Sequence, residues 1–411
     1  MNSSPADRGP TADVDLLCAE AIEQPHQYLA RIRDRTPVVW SARHRAWMVL
    51  GHPELDAAFR SPALSTERMG AFRARLTGSR ADALAAAIEL LDGWMLFHDP
   101  PEHARLRTPL QRQFTPKAVA PLADAVTAAC DQLLDAMAAT AVISNEPVDL
   151  VEAFAHPLPA AVIARLFGVP DQLRTWLTEW SSRFGVVVFG ATGRPDYEAV
   201  ARAAGVEFRE HLGALLEQRR AELRNDLVSL LATTAELSDT EVLGACSLLL
   251  FAGHDTTASL ISTAALALIE HPDQHRRLIA EPHLHEPAVE EFLRYDGSAK
   301  AMMRVVAEPT ELGGCTLLPG EAVFLTILAA NRDPRVFDQP ADLRLDRSPN
   351  PHLSFGHGTH FCLGASLARL ELRIALPRLA ARFPALRLAG PPVWKANISD
   401  RSAAALPVYL A

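Results

Sequence analysis

Aromatic residues are scarce: Phe, Trp and Tyr make up only 6% of the 411 residues. With so few rings the core must rest on Ala, Leu and Val, a mixture that suits packed helices better than a β-sandwich. Cysteine is sparse too. The five present (Cys18, Cys130, Cys246, Cys315 and Cys362) lie far apart with no CxxC pair, which excludes a disulfide framework and fits a reducing compartment. Basic residues are outnumbered, 40 Lys and Arg against 49 Asp and Glu for a net charge of −9, so a nucleic-acid binder relying on positive charge is not expected. The opening MNSSPADRGPTADVDLL has neither the basic end nor the apolar run of a secretory leader, and a cytoplasmic location is expected. A clean membrane span is missing as well. The most apolar stretch, Val242 to Ile269, is broken by His254 and Asp255, a pair whose burial in lipid would cost several kcal/mol.

What is present is ordinary globular chemistry, 49% apolar and 22% charged, in a chain long enough to bury a large core. At about 150 residues per domain the length suggests two or three domains, yet no Gly/Ser linker, charge block or repeat divides the chain. Helix-period patterns dominate, over roughly 117–140, 152–167, 171–184, 196–224, 238–270, 284–295 and 363–382. The β-like runs are short: Val38–Trp40, Trp47–Leu50, Val323–Ile327 and the end near Leu406–Leu410. These proportions predict a mainly α fold with small β-sheets, most irregular over about 61–98 and 331–361.

The longest helix is also the clearest. Ser238-Asp239-Thr240-Glu241 forms a capping box, and the pattern continues to Glu270 before His271-Pro272 ends it, about 32 residues or ~48 Å. Its first half is apolar nearly all round and so belongs to the interior. Into that interior the sequence sets Gly253-His254-Asp255-Thr256-Thr257, polar groups that are costly unless paired or used. Leu248, Ala252 and Thr256 share a face at four-residue spacing, with Phe251 and Asp255 one position round. Two readings stand here: a kink, or a hydroxyl and a carboxylate presented to a neighbour.

Near the C-terminus the chain reads Phe355-Gly-His-Gly358-Thr-His360-Phe-Cys362-Leu-Gly364-Ala365, with a helix expected to begin at about Leu363. Cys362 would then sit at a helix N-terminus, where unpaired N–H groups and the dipole favour a thiolate, while Gly358 and Gly364 leave room for a flat partner. A zinc site from His357, His360 and Cys362 has an unusual spacing and lacks a nearby fourth ligand. A plain buried cysteine leaves the glycines unexplained. A thiolate ligand for haem iron accounts for all of these features.

At these residues the chain resembles the cytochrome P-450 superfamily. Phe355-x-x-Gly358-x-x-x-Cys362-x-Gly364 is similar to its haem-binding signature, which implies Cys362 as the axial ligand. Ala252-Gly-His-Asp255-Thr256-Thr257 is similar to its oxygen-activation helix, implying Thr256 as hydrogen-bond donor and Asp255 as proton relay. Asp99-Pro-Pro-Glu-His103-Ala-Arg-Leu-Arg107 is similar to the helix that reaches the haem propionates, and by the same resemblance Arg304 and His360 complete those contacts. Taken alone, His103 and Arg107 at i, i+4 could equally be a solvated charged face. Glu291-Phe-Leu-Arg294 is similar to the ExxR pair. By itself it could be a surface pair worth under ~1 kcal/mol; the resemblance implies a buried structural anchor for the segment before the cysteine loop. Asn331-Arg-Asp-Pro334 fits as well. The motifs come in family order from about residue 99 to 382, and the first ~60 residues match loosely.

Three departures carry consequences. Where the family often completes the ExxR network with Arg or His in the Phe337–Arg347 segment, the corresponding position is Asp342, and Arg344 is the expected substitute. Ser366 stands where bacterial relatives often have Pro. Pro377 lies inside the last helix, where a ~3 kcal/mol penalty predicts a kink or an early end.

The resemblance implies one haem-binding domain over residues 1–411, its first 20 residues flexible, acting as a monomeric haem-thiolate monooxygenase. It would carry haem b (iron protoporphyrin IX) and insert one oxygen atom from O2 into a hydrophobic small molecule by hydroxylation or epoxidation. Electrons would come from NAD(P)H through a reductase and a ferredoxin, the latter steered to Arg105, Arg112, Lys117, Arg369 and Arg373. The acid–alcohol pair separates this reading from a peroxide-driven haem enzyme and from a non-catalytic haem sensor, neither of which needs a relay. The expected substrate pocket comprises the 65–97 segment with Trp94, Met95 and Phe97, the 180–195 loop, Leu248, Phe251, Ala252 and Ala299–Ala301.

Overall fold

The structure, a computed structural model, describes residues 8–144, 146–170, 173–188 and 195–410. The chain is mainly helical with small sheets and divides into two compact units. The first draws on residues 1–65, 123–157 and 256–411, the second on 66–122 and 158–255.

In the first unit six short strands form the principal sheet: β1 (Thr11–Ala12), β2 (Val38–Ser41), β3 (Ala46–Val49), β4 (Leu64–Ser65), β5 (Met302–Val306) and β6 (Ala322–Leu325), in the order β1-β2-β3-β6-β5-β4. Strand β3 runs parallel to β6 with Trp47 opposite Val323, and β5 runs antiparallel to β6 with Arg304 opposite that same valine. Val323 and Leu325 are fully buried while Ala322 and Phe324 are half-buried, the period of two expected of a strand. One apolar cluster holds Trp47, Val49, Phe59, Leu325 and Leu353; another holds Val14, Leu16, Leu29, Met48, Ala301 and Leu328.

The expectation of a loose first 20 residues does not hold from Arg8 onward; residues 1–7 lie outside the described residues. Arg8 pairs with Glu321 at 2.5 Å, β1 joins the sheet beside β2, and Val14 and Leu16 are buried. Further along, the buried ammonium of Lys300 donates to the carbonyls of Leu16, Ala21 and Asn397, tying both ends of the chain to the segment that leads into β5.

The helix after Cys362 starts at Ala365, two residues later than expected, and runs to Arg382 without stopping at Pro377. Packing explains its persistence. It lies on the helix Ala123–Ser144, with Arg378 on Asp131 and Arg382 on Asp135, and Leu372, Ala375, Leu376 and Leu379 are buried, which offsets one lost backbone hydrogen bond.

The second unit is built of helices. The 61–98 stretch, expected to be irregular, contains the helix Ser79–Asp92, whose Ala83, Leu84, Ala87, Leu90 and Leu91 are buried. It packs against Tyr197–Ala221. A Cβ on Gly205 would stand 2.6 Å from the Ala87 nitrogen, so glycine permits that approach. Trp180, on the helix Arg174–Val188, lies 4.3 Å from the Phe208 ring and donates its indole N–H to the Ala204 carbonyl.

The long helix spans Asp239–Glu270, 32 residues, as its pattern predicts. Its capping box forms: the Ser238 N–H donates to Glu241 Oε2 at 2.8 Å and the Glu241 N–H to Ser238 Oγ at 3.3 Å. Among the described residues no helix is long and apolar enough to cross a membrane.

Candidate active site

The cysteine loop is shaped by glycines and anchored from behind. Asn331 Nδ2 donates to Ser354 Oγ, the Leu353 N–H donates to Asn331 Oδ1, each at 2.8 Å, and Ser354 Oγ donates to the Leu293 carbonyl. Beyond this anchor the backbone turns through Gly356 at φ +68° and Gly358 at φ +71°, values that side chains with a Cβ rarely adopt. A Cβ on Gly358 would also stand 3.0 Å from the Phe59 carbonyl oxygen. The Cys362 N–H closes the loop onto the Phe355 carbonyl at 2.8 Å.

Of the five cysteines Cys362 is the exposed one; Cys130, Cys246 and Cys315 are buried. Burial pushes the Cys130 and Cys246 thiols up to about 12, so both stay protonated and inert. Past Cys362, no heavy atom beyond Gly364 itself and its chain neighbours lies within 4 Å of where a Cβ on Gly364 would stand. His360, in the turn Gly358–His360, is half-buried. Arg304 is buried on β5 with Nη1 donating to the Met303 carbonyl.

Behind the loop, Glu291 and Arg294 are fully buried on the helix His285–Asp296 and form a two-bonded pair, 2.8 Å on each side. The surface-pair reading is thereby excluded. The third member is Arg347, not Arg344: its Nε donates to both Glu291 oxygens at 3.1 and 3.0 Å. Arg344 offers Glu291 only its backbone N–H, and its side chain faces Asp338. Asp342 contributes its carbonyl, which accepts from both Arg294 and Arg347. Asn350 Nδ2 also donates to Glu291. Sequence reasoning missed Arg347 and Asn350 because both reach Glu291 from the irregular 331–361 stretch, where no periodicity tells which side chain turns inward.

In the second unit His103 and Arg107 share the helix Glu102–Gln111. His103 is buried and Arg107 half-buried, which rules out a solvated face. Burial, and then the Arg107 charge, hold the His103 imidazole below its ordinary range, so it is neutral at pH 7.

The long helix continues through Gly253–Thr257 without a break. From Gly244 to Leu268 the exposed positions are Ala252 and Thr256, one turn apart, while Asp255 is half-buried. Buried His254 is occupied otherwise: its Nδ1 lies 3.0 Å from the Leu250 carbonyl and its Nε2 3.4 Å from Asp255.

Several expected pocket residues are gathered in the second unit as an aromatic cluster. Trp94 stacks on Phe97 at 5.6 Å, lies 5.5 Å from Phe251 and 5.9 Å from Phe184, and donates its indole N–H to Ser247 Oγ at 2.7 Å. Leu248, Phe251 and Phe97 keep slight exposure, whereas Trp94 at 1% is sealed and braces the cluster. The expected 180–195 loop is helical through Val188, and 189–194 lie outside the described residues. Ala301 is not a pocket wall. It is 1% exposed and packed with Val14, Leu16 and Leu29 in the first unit's core, beside the residue whose ammonium grips the N-terminal carbonyls.

Three of the five arginines and lysines expected to attract an acidic partner are already matched by carboxylates. Arg105 pairs with Glu102 and Glu241, Arg369 with Glu290, and Arg373 with Glu286 at 4.0 Å. Arg112 and Lys117 remain exposed.

These residues fit a haem. The soft sulfur donor suited to iron is the exposed one, the glycine beyond it has room for added atoms, and the stretch Gly244–Leu268 of the long helix, otherwise buried or half-buried, exposes one small residue and one hydroxyl.

Comparison with known proteins agrees. Residues 194–387 match the family model described as cytochrome P450. The chain is 36% identical over 411 residues to the cytochrome P450 monooxygenase PikC of Streptomyces venezuelae, covering 97% of this chain and 94% of that one. It is 37% identical over 329 residues to mycinamicin IV hydroxylase/epoxidase of Micromonospora griseorubida, covering 78% and 80%. The solved structure of P450BioI in complex with hexadec-9Z-enoic acid ligated acyl carrier protein superposes with a TM-score of 0.86 at 32% identity, covering 95% of this chain and 99% of that one. A thiol loop, a buried ExxR network and near-full-length kinship meet in one conclusion: the chain belongs to the cytochrome P450 family and is a monooxygenase of that family.

Proposed function

We propose that the whole chain serves as one haem-binding domain that hydroxylates or epoxidises a hydrophobic small molecule, with Cys362 as the residue that would ligate the iron of haem b. A bound haem-thiolate supplies the redox centre at which dioxygen is activated for insertion of a single oxygen atom. In this reading, which follows the family motifs, Arg304, His360, His103 and Arg107 are the residues that would pair with the haem propionates, and Phe355, Gly358 and Gly364 those that would shape the cysteine loop for the cofactor. Neutral His103 donates a hydrogen bond there while Arg107 supplies charge.

Thr256 holds a hydrogen bond at the exposed turn of the long helix, and half-buried Asp255 exchanges protons with solvent and passes them inward. The exposure of Ala252 and Thr256 within a buried helix carries this assignment. It favours the oxygen-driven monooxygenase over a peroxide-driven enzyme or a haem sensor, which need no such pair. Phe97, Leu248 and Phe251 bias the substrate toward apolar molecules. The hexadec-9Z-enoic acyl chain named in the P450BioI structure is of that broad kind. Electrons arrive from NAD(P)H through a ferredoxin, for which Arg112 and Lys117 offer exposed positive charge.

Replacing Thr256 by Ala tests the relay. Electron consumption should persist while product per electron falls several-fold; unchanged coupling would remove Thr256 from the mechanism.

A further inference from the structure

We propose that Glu290 and Arg369 are positioning residues for the Cys362 thiolate: paired with each other, they pin the Phe355 ring and set the positive charge the sulfur experiences, and with it the reduction potential of the haem. The inference rests on the haem-thiolate reading above. It begins with two adjacent acids on the helix His285–Asp296. Successive helical residues point about 100° apart, so Glu290 and Glu291 serve different neighbours. Glu291 is consumed by Arg294 and Arg347. Glu290 turns instead to the cysteine loop and the helix behind it: Oε1 accepts from Arg369 Nε at 2.7 Å, Oε2 accepts from Arg369 Nη2 at 2.8 Å, and Oε2 lies 3.0 Å from His352 Nε2.

Arg369 in turn lies over the Phe355 ring, 4.5 Å from its centroid. Phe355 is the residue whose carbonyl accepts the Cys362 N–H, and its ring also neighbours Phe361 at 6.2 Å. A cation on one face of that ring is thus two steps from the sulfur, and a carboxylate holds the cation in place. The electrostatics agree. Burial would raise Glu290, but the hydrogen bonds from Arg369 and His352 outweigh it and bring the carboxyl down to about 2, so it is anionic at working pH. Arg369 is held up chiefly by its hydrogen bond to Glu290, and the Cys362 charge adds to the effect. Sequence reasoning assigns Arg369 to partner docking; its contacts assign it to the loop.

Charge fixes the sign of the expected effects. Reduction adds an electron beside the sulfur, and a nearby cation favours it. Removing Glu290 unmasks Arg369, and removing Arg369 leaves the carboxylate; the two changes should move the potential in opposite directions, whereas a purely structural loosening would move both the same way. The experiment is a spectroelectrochemical titration of the holoenzyme at fixed pH and ionic strength for the wild type, E290Q, R369Q, R369K and the E290Q/R369Q double variant. At the wild-type midpoint E290Q should raise the ferrous-to-ferric ratio about three- to tenfold, or ~30–60 mV at 59 mV per decade for one electron. R369Q should lower it comparably, while R369K and the double variant stay within about twofold of wild type. Should E290Q fail to take up haem, R369Q against R369K carries the same test of sign. Shifts of one sign in both single variants, or R369Q and R369K shifting alike, overturn the proposal, as do unmoved potentials. Each titration is preceded by a ferrous–carbon monoxide spectrum of the wild type. Absence of the thiolate band there overturns the haem-thiolate reading itself, whereas the band with unmoved potentials overturns only this inference.

Discussion

Arg347→Met is the perturbation that most sharply separates the observed ExxR network from the one expected from sequence. In the fold its guanidinium makes two contacts with Glu291 and three with the carbonyls of Asp338, Gln339 and Asp342. All of this lies beside a carboxylate that is 0% exposed. Removing one partner of a buried ion pair costs about 3–5 kcal/mol, and Arg294 remains on Glu291 to limit the damage to the lower part of that range. An unfolding entropy near 2.1 cal/mol/K per residue makes ~3 kcal/mol worth roughly 3–4 °C in a chain of this length. Arg344→Met is the control. Its side chain makes a 3.4 Å pair with Asp338 in which both groups are substantially exposed, and its contact to Glu291 is a backbone N–H that methionine keeps; such a change costs under ~1 kcal/mol. Thermal unfolding and haem retention of the purified variants read out both. If Arg344→Met loses as much stability and haem as Arg347→Met, or more, the reasoning fails.

Gly358→Ala combines a positive φ with a Cβ 3.0 Å from the Phe59 carbonyl oxygen; a loss of about 1–2 kcal/mol and faster haem release are expected, and a variant as stable as wild type would contradict the strained-loop account. Glu371 is fully buried, with no hydrogen-bond partner for either carboxyl oxygen among the described residues, and desolvation raises it to about 8. Because its folded pKa is raised, the folded protein binds the proton that the unfolded chain has released between about pH 4.5 and 8, so stability falls as pH rises through that window. Glu371→Gln should flatten the slope and stabilise the protein at pH 8, as measured by denaturant midpoints across that range; an unchanged slope would show that Glu371 is not the titrating group.

The elements written most clearly in the sequence are those decided by local chemistry. The long helix carries its own cap and stop, and it spans Asp239–Glu270 in the fold. The cysteine loop declares itself through glycines whose positive φ values the structure then shows. Glu291 and Arg294, three residues apart on a helix, need no long-range information to meet. Features decided by distant packing were not legible. Ser79–Asp92 is a weakly amphipathic, Ala-rich segment that depends on the helix Tyr197–Ala221 to cover it. Arg347 is chosen over Arg344 by a turn that bonds the Arg347 N–H to the Arg344 carbonyl within an irregular stretch. Ala301 reads as a small apolar pocket residue, yet its neighbours in the core include Val14 and Leu16, nearly three hundred positions earlier. The same holds for charge: Arg105 and Arg369 look like free surface cations until their carboxylate partners are placed.

The central claim is that Cys362 ligates haem iron as a thiolate, and the ferrous–carbon monoxide absorption spectrum of the haem-loaded protein tests it most directly. The account predicts the strongly red-shifted Soret band of thiolate-ligated haem in the wild type and its loss in Cys362→Ala, with Cys130→Ala and Cys246→Ala indistinguishable from wild type. A wild-type band at the position of haem with a neutral ligand, or the same red-shifted band persisting in Cys362→Ala, would contradict it.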